Sequence, residues 1–384
     1  MKNGKLLFYT ACLGMLLFGM VMTTMGSILP SLIDKFSLDE MGAGTLVSLL
    51  PLGILAGSLI FGPVADRYGY QFLLFGAALV EAMALEGIGF LPGMMGLRIA
   101  VFSIGLGGGI LNGATNALVA DISEEQKGAS LSLLGVFYGV GALSMPTLLN
   151  VLKNSFSTSI ILGSIGFFVG LASFLFLGIR FPKPKQQGGF PQGEVGQLLR
   201  SPLLWVGGMF LFFMSGLEGL VNNWTTTYLM EIISVDKGKA LSALSALVLS
   251  LTLARILIGG PLKKFPPHKL MLISLGLAFF SVLILYFSRD YAVFLLGIIL
   301  LGGGMSTGFP VMLGYIGEKF SSLSGTAFGV VLVLALLGNT LINLVMGWIA
   351  DHQGLQTLFP MAGFCIGAMG VLFLAFIRKG RNNI

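Results

Sequence analysis

Long apolar runs alternate with short polar or charged breaks along the whole chain, and this pattern is the main guide to the fold. Each run approaches the roughly 20 residues that a helix needs to cross the hydrocarbon core of a bilayer. Breaks at charged residues and at Pro/Gly clusters give approximate bounds of 6–33, 41–65, 71–91, 95–120, 128–151, 158–181, 203–230, 239–262, 269–288, 291–317, 325–350 and 356–377. The pattern predicts an all-α membrane protein with twelve transmembrane helices.

One polar interruption is much longer than the others. Residues 182–202 are rich in Pro, Gly and Gln, a composition typical of a linker. The sequence therefore predicts an N-terminal six-helix bundle over 1–181, a cytoplasmic linker over 182–202 and a C-terminal six-helix bundle over 203–384.

Glycines recur in the two predicted halves at a nearly constant offset of 195 to 197 residues. Gly62 and Pro63 match Gly259–Pro261, the triplet 107–109 matches 302–304, and Gly128 and Gly141 match Gly325 and Gly338. Chance is the alternative explanation, because the chain holds 56 glycines. We interpret the matches as a parallel duplication, an arrangement that secondary transporters use.

The composition and the distribution of charges are typical of a protein that lies in a lipid bilayer. Hydrophobic residues make up 55% of the chain and charged residues 10%, with a mean hydropathy of +0.93, whereas soluble domains carry about a quarter charged residues. If the N-terminus is cytoplasmic, 15 of the 22 Lys and Arg residues fall on the cytoplasmic side. The net charge of +6 thus indicates topology rather than nucleic-acid binding. We expect both termini in the cytoplasm of a multi-pass protein of the inner (cytoplasmic) membrane.

The start of the chain and its few metal-binding residue types exclude several classes of protein. The first run lacks a small-residue cleavage site, so we expect a retained span rather than a signal peptide. Cys12 and Cys365 lie inside apolar runs, and His268 and His352 lie far apart. We predict no disulfide framework, no metal site and no cofactor other than an ion gradient. No span pairs a nucleophile with a base or carries a metal-ligand cluster, so we expect a protein that is not an enzyme. We also expect it to be a monomer.

The loop after the second span reads GPVADRYGYQ, from Gly62 to Gln71. It resembles the signature loop of the major facilitator superfamily, and Asp66, Arg67 and Gly69 match the family pattern. Tyr70 stands where the family often carries another basic residue. The resemblance implies the major facilitator fold, transport by alternating access, and a role for Asp66 and Arg67 at the cytoplasmic gate.

Two further segments are similar to the fucose/galactose/glucose–proton symporters and related glucose transporters. These are GLGGGILNGATNALVAD in the fourth span and FLFFMSGLEGLVNNWTTTYL in the seventh, where Glu218, Trp224 and Tyr228–Leu229 match. Proton-coupled fucose permeases carry membrane acids where this chain has Gly26 and Asn112. The resemblance implies a sugar carrier, and it leaves open whether protons, sodium or the solute's own gradient drives transport.

Polar side chains within the spans are the candidates for binding, because they are costly in lipid unless they face a cavity or a partner. Glu218 and Asn222 are four residues apart on one face of the seventh span, where a carboxylate and an amide can bind sugar hydroxyls. Glu218 is also a candidate proton carrier, and a structural hydrogen bond is the alternative. The pairs Asn112 and Asn116, and Asn339 and Asn343, have the same spacing and are either substrate ligands or interhelical contacts.

Weaker candidates complete the predicted site. Tyr138 is a further substrate candidate, and Trp224 and Tyr228 either form an aromatic platform or anchor the outer helix end. Arg255 needs a carboxylate or carbonyl partner, so we predict a structural or gating role for it. Glu81 and Glu86 of the third span either make peripheral contacts or replace the missing coupling acids.

These observations predict a secondary transporter for a small neutral polar solute, with a monosaccharide as the expected substrate. Few charges and several amides in the spans argue against an anionic solute. The alternative is a drug or lipid exporter on the same fold, working as a proton antiporter, since 19 methionines could line an adaptable apolar pocket.

Overall fold

The computed structural model describes residues 2–123, 126–152, 154–185 and 192–381, which are helical over most of their length. Within these ranges no strand occurs. The helices are α1 (Lys2–Phe36), α2 (Glu40–Tyr68), α3 (Gln71–Phe90), α4 (Met94–Ile122), α5 (Lys127–Leu152), α6 (Thr158–Leu177), α7 (Gln192–Arg200), α8 (Pro202–Glu231), α9 (Lys237–Gly259), α10 (Pro267–Phe287), α11 (Tyr291–Met305), α12 (Gly308–Lys319), α13 (Ser324–Gln353) and α14 (Leu358–Arg381).

Twelve stretches of the described chain are long and apolar enough to cross a membrane, which confirms the predicted number of spans. α11 and α12 together form the tenth span, Tyr291–Lys319. Within the predicted linker, residues 186–191 lie outside the described residues. The rest includes the nine-residue helix α7, which the linker prediction did not include.

The tenth span is interrupted between Met305 and Gly308. Pro310 has no amide hydrogen to donate to the carbonyl four residues earlier, so the helix cannot continue regularly through this point. The hydroxyl of Ser306 instead donates to the Gly303 carbonyl at 2.6 Å, and that of Thr307 points to the Met271 sulfur at 3.6 Å. The apolar run 291–317 predicted an unbroken span here, so this part of the prediction was wrong.

The chain forms two compact units. Unit 1 comprises Met1–Ser123, Leu134–Val195 and Phe320–Gly329, and unit 2 comprises Glu124–Leu133, Gly196–Lys319 and Val330–Ile384. They differ from the predicted halves in two segments. Residues 124–133 come from the predicted N-terminal half but belong to unit 2, and residues 320–329 come from the predicted C-terminal half but belong to unit 1. The offset between these segments is 196, so they occupy equivalent places in the repeat. The boundaries 1–181 and 203–384 stay a prediction.

Helix pairing follows the same scheme in both units. In unit 1, α4 packs against α1, α2 and α3, and α3 also packs against α6. In unit 2, the tenth span packs against α8, α9 and α10, and α10 also packs against α14. The same span pairs therefore recur six spans later, as a parallel duplication requires.

The repeated glycines lie where helices approach most closely. A Cβ atom on the first residue of Gly107–Gly109 would lie 2.8 Å from the Ala77 carbonyl oxygen of α3. On the second it would lie 3.0 Å from Val21 of α1, and on the third it would overlap the Ile54 backbone of α2. The triplet thus lets α4 contact three helices at once.

Gly141 and Gly338 allow equivalent close contacts between helices in the two halves. A Cβ on Gly141 would overlap the Leu16 carbonyl oxygen of α1, and a Cβ on Gly338 would overlap the Phe212 carbonyl oxygen of α8. Equivalent glycines thus make equivalent contacts, which a chance match would not produce.

Candidate functional site

An ion pair joins α8 and α9 within unit 2. Nη2 of Arg255 on α9 is 3.6 Å from Oε1 of Glu218 on α8, with the side chains 10% and 24% exposed. The Arg255 carbonyl accepts a hydrogen bond from the Ser132 hydroxyl at 3.0 Å. Nε of Arg255 is buried and has no hydrogen-bond partner among the described residues. The Nε donor is therefore unsatisfied and shielded from solvent, and it lies beside a carboxylate that is partly accessible.

The polar face of α8 continues from Glu218 toward the end of the helix. Asn222 is exposed and its Nδ2 donates to the Glu218 backbone oxygen at 2.9 Å. Nδ2 of Asn223 and Nε1 of Trp224 both donate to Oδ1 of Asn343 on α13, at 3.0 and 3.1 Å. Trp224 is half-buried, so its indole is fixed in position and partly accessible.

Asn339 and Asn343 connect α13 to α8. Nδ2 of Asn339 donates to the Ser215 carbonyl at 3.1 Å, and Nδ2 of Asn343 donates to the Asn339 carbonyl at 2.8 Å. Gly219 makes room for them, since a Cβ there would lie 2.9 Å from the Asn339 amide nitrogen. These bonds support the interhelical alternative, and a substrate role for the two residues stays a prediction.

The candidates of the first half lie in unit 1. Nδ2 of Asn116 donates to the backbone oxygen and to Oδ1 of Asn112, at 2.8 and 3.0 Å. Asn116 is buried and Asn112 is half-buried. The ring of Tyr138 packs against Phe18 with centroids 5.6 Å apart. Asn112 and Tyr138 are the more accessible of these side chains.

Tyr228 does not form a platform together with Trp224. Its ring is 1% exposed and packs against Phe294 and Phe359, with centroid distances of 5.8 and 4.9 Å. Its hydroxyl accepts a hydrogen bond from Arg289 at 3.0 Å. Both faces of the ring are therefore occupied inside unit 2.

The two acids of α3 have different surroundings. Glu81 is 1% exposed, and its Oε1 has no hydrogen-bond partner in the described part of the chain. Glu86 lines a surface groove of about 350 Å³ between α3 and α6. Phe90 of α3 and Ser164, with other residues of α6, complete the lining. None of the predicted substrate residues lines this groove.

Asp66 holds the start of α13 within unit 1. Its carboxylate accepts hydrogen bonds from the amides of Gly325 and Thr326 at 3.1 and 2.8 Å, and from the Thr326 hydroxyl at 2.7 Å. A carboxylate is favoured there because the first amides of a helix carry partial positive charge. Arg67 is exposed, with its guanidinium 5.1 Å from the ring centre of Tyr68. The two residues of the signature pair therefore point to different surroundings, and a gating role for Arg67 stays a prediction.

A second polar cluster, which the sequence analysis did not predict, lies close to Asp66. Nζ of Lys185 is 2.7 Å from Oδ1 of Asp121, and it also hydrogen-bonds to the Ser324 hydroxyl. Oδ1 of Asp121 accepts from Ser324 at 2.7 Å, and Oδ2 accepts from the Tyr70 hydroxyl at 2.5 Å. We call these four residues the Lys185 cluster.

Tyr70 remains a donor in this cluster. Burial raises the pKa of its phenol well above the usual value, and the negative charge of Asp121 raises that pKa further. The departure of Tyr70 from the family pattern was visible in the sequence. Its partners were not, because they come from the end of α4, the linker and the start of α13.

Among the described residues, no group of three or more His, Cys, Asp or Glu side chains could hold a metal ion.

Comparison with known proteins gives a family match over nearly the whole chain. The model of the Major Facilitator Superfamily matches residues 11–331 and 244–383. The chain is 22% identical to the inner membrane transport protein YdiN of Escherichia coli, over 95% of this chain and 88% of that protein. It is 24% identical to the glucose/mannose transporter GlcP of Bacillus subtilis, over 86% and 84%. It is 26% identical to the multidrug resistance protein MdtL of Citrobacter koseri, over 90% and 88%.

Among solved structures, the chain is similar to the fucose:proton symporter FucP of Escherichia coli. The TM-score is 0.81 at 18% sequence identity, over 97% of this chain and 99% of that one. At this identity the likeness establishes a common fold.

Proposed function

The chain belongs to the Major Facilitator Superfamily, and from this premise we propose that it transports a small neutral polar solute, a monosaccharide, by alternating access. The family and fold make the protein a multi-pass membrane transporter. Membership of a transporter family also confirms the expectation that it is not an enzyme. We further propose that it acts as a monomer in the cytoplasmic membrane with both termini in the cytoplasm.

The observation that carries the monosaccharide proposal is the polar face of α8 with its partner on α9. Glu218 offers acceptors, the Arg255 side chain beside it is 10% exposed and carries only donors, and Asn222 offers both kinds of group. A sugar hydroxyl both donates and accepts, so this set suits it. Trp224, held by Asn343, suits the apolar face of a sugar ring. The similarity to GlcP supports the same substrate class.

The exporter alternative rests on the similarity to MdtL. A pocket for apolar drugs would use accessible methionines. In unit 2, however, the methionines at 214, 271, 305, 312, 346 and 369 are at most 1% exposed. These six pack inside the unit, whereas Met230 is 43% exposed and Met209 and Met361 are half-buried. Most methionines of unit 2 are therefore core residues and give this alternative little support.

A counterflow experiment tests the proposal. Proteoliposomes loaded with unlabelled glucose, galactose or fucose are mixed with the same labelled sugar outside. We expect transient accumulation of at least one label, and none in liposomes without protein. If all three sugars fail while a labelled hydrophobic cation exchanges, the exporter alternative replaces the monosaccharide proposal. A fluorescent protein fused to the C-terminus tests the orientation, because it folds in the cytoplasm.

A further inference from the structure

We propose that Glu81 of α3 is a proton-binding site, and that the proton bound there couples transport to a proton gradient. The coupling part rests on the proposed function, whereas proton binding does not. Glu81 is the eleventh of the 20 residues of α3, so it lies about 15 Å from either end of the helix.

Packing alone does not explain an acid at this position. Glu81 lies against Gly107 of α4, where a Cβ would be 2.8 Å from the Glu81 Cγ. In the second half, Gly304 lies against Ala278 of α10, where a Cβ would be 2.8 Å from the Ala278 Cβ. Both residues of the second contact are offset by 197 from those of the first, the offset of Gly128 to Gly325 and of Gly141 to Gly338. In this contact Gly107 therefore corresponds to Gly304, although the triplets as sequence motifs are offset by 195. An alanine therefore fills the same contact in the duplicated half, and like Glu81 it is 1% exposed.

Among the residues that the structure describes, no charged side chain pairs with the carboxyl of Glu81. The helices packed against α3 are α1, α2, α4 and α6. Charged residues are absent from the sequence of α6 and from the stretches 6–33, 41–65 and 99–120 of the other three helices. The titratable side chains in those stretches are Tyr9 and Cys12 of α1, and on α3 itself the second acid is Glu86.

The unpaired carboxyl must therefore be neutral in this structure. An ionised carboxylate without a cation or a donor is strongly disfavoured in an apolar interior, so the group is held as the acid. Glu218 differs, because Arg255 stands 3.6 Å from it and stabilises its ionised form. Of these two acids, Glu81 is thus the one that holds a proton, and releasing that proton requires a change in its surroundings. A group with that property can couple proton movement to a conformational change.

Two measurements test the proposal, with Glu81→Gln and Glu81→Ala as variants and Glu86→Gln as the matched control on the same helix. Glu81→Ala copies the residue that the second half uses. The first measurement is the infrared spectrum in nanodiscs at neutral pH, in H₂O and in D₂O. We expect a protonated carboxyl band that shifts in D₂O, is absent from both Glu81 variants and persists in Glu86→Gln. An unchanged spectrum in the Glu81 variants overturns the proposal, whatever the substrate.

The second measurement compares glucose counterflow with glucose accumulation driven by an imposed proton gradient. We expect Glu81→Gln to keep counterflow within about twofold and to lose about tenfold or more of the accumulation. Accumulation equal to wild type, or wild-type accumulation driven by sodium alone, overturns the coupling. If the wild-type protein exchanges no sugar, that result contradicts the proposed function instead. The infrared spectrum then tests by itself whether Glu81 binds a proton.

Discussion

Glu218 and Arg255 depend on each other, because each is a partly buried charge with the other as its counterion. Glu218→Gln removes the carboxylate and leaves the guanidinium uncompensated. A hydrogen bond to a charged group is worth about 1.5–3 kcal/mol, which corresponds to roughly a tenfold to hundredfold loss of affinity. We expect a loss of sugar exchange in this range, measured as the initial rate of counterflow at low sugar concentration.

The double variant Glu218→Gln/Arg255→Gln separates binding from folding. It contains no uncompensated charge, so its thermal unfolding temperature should lie above that of either single variant. Its exchange rate should stay low, because both sugar-binding groups are changed. Recovery of exchange in the double variant would mean that the pair serves only to stabilise the bundle.

The sequence revealed the ionisable members of this site and not their partners. A carboxylate or guanidinium inside an apolar run stands out, so Glu218, Glu81 and Arg255 were identifiable at once. Arg255 was expected to need a partner, and the structure provides Glu218, 37 positions away on another helix. Which charges meet depends on how helices rotate and pack, and no local pattern encodes that.

Close contacts between helices predict which glycines are essential. Gly109→Ala places a methyl group against the Ile54 backbone, which cannot move without shifting α2 away from α4. We expect a destabilisation of about 1–3 kcal/mol, measured as a lower thermal unfolding temperature in detergent. Gly76→Ala is the control, because its Cβ would meet nothing within 4 Å. A control as unstable as Gly109→Ala would show that helix backbone effects, and not the contact, are responsible.

The Lys185 cluster ties the linker to the start of α13. Lys185→Gln removes the cation that pairs with the Asp121 carboxylate, and it weakens the hydrogen bond between the linker and the Ser324 hydroxyl. We expect amide hydrogen exchange in residues 320–329 to become about tenfold faster, as a loss of about 1.4 kcal/mol implies. Mass spectrometry of peptides from this segment measures the change.

Lys183→Gln provides the matched control for this experiment. Lys183 carries the same charge two residues earlier and is exposed. Its loss should leave exchange in 320–329 unchanged. Equal effects of the two variants would assign the change to the net charge of the linker, and the contact of Lys185 would then have no specific role.

At the level of elements, the apolar runs predicted every span because length and hydropathy decide insertion. They did not predict the interruption at Ser306 and Thr307, although Gly308 and Pro310 were visible in the sequence. Pro51 and Pro63 lie inside α2, which continues past both. Whether a proline breaks a membrane helix depends on which nearby groups satisfy the freed carbonyl, and that information is in the tertiary structure.

For the whole molecule, the constant glycine offset predicted the duplication, and the recurring helix pairs agree with it. The exchange of segments 124–133 and 320–329 between the units was not predictable. Both segments begin spans that otherwise belong to the opposite unit. An apolar run shows only that a helix forms, and the packing of its first turns depends on polar contacts such as those of Asp66.

The two exchanged segments are held by contacts of different strength. In unit 1, the carboxylate of Asp66 accepts three hydrogen bonds from Gly325 and Thr326. In unit 2, the neutral carbonyls of Gly317 and Arg255 accept single hydrogen bonds from Lys127 and Ser132, at 3.3 and 3.0 Å. A bond with an ionised donor or acceptor is about twice as strong as one between neutral groups. Segment 320–329 has three such bonds to one carboxylate, whereas 126–133 has the single long bond of the Lys127 ammonium and the neutral bond of Ser132. The duplicated fold is therefore asymmetric in the attachment of these segments.

This asymmetry predicts that amide hydrogens of 320–329 exchange more slowly than those of 126–133. Asp66→Asn keeps the shape of the side chain and removes its charge, so it should accelerate exchange in 320–329 by about tenfold or more, since each bond to a charged group contributes about 1.5–3 kcal/mol. Exchange in 126–133 is the internal control and should not change. Equal wild-type rates in the two segments would contradict the asymmetry. An Asp66→Asn effect that extends to both segments would indicate a general loss of stability rather than the release of α13.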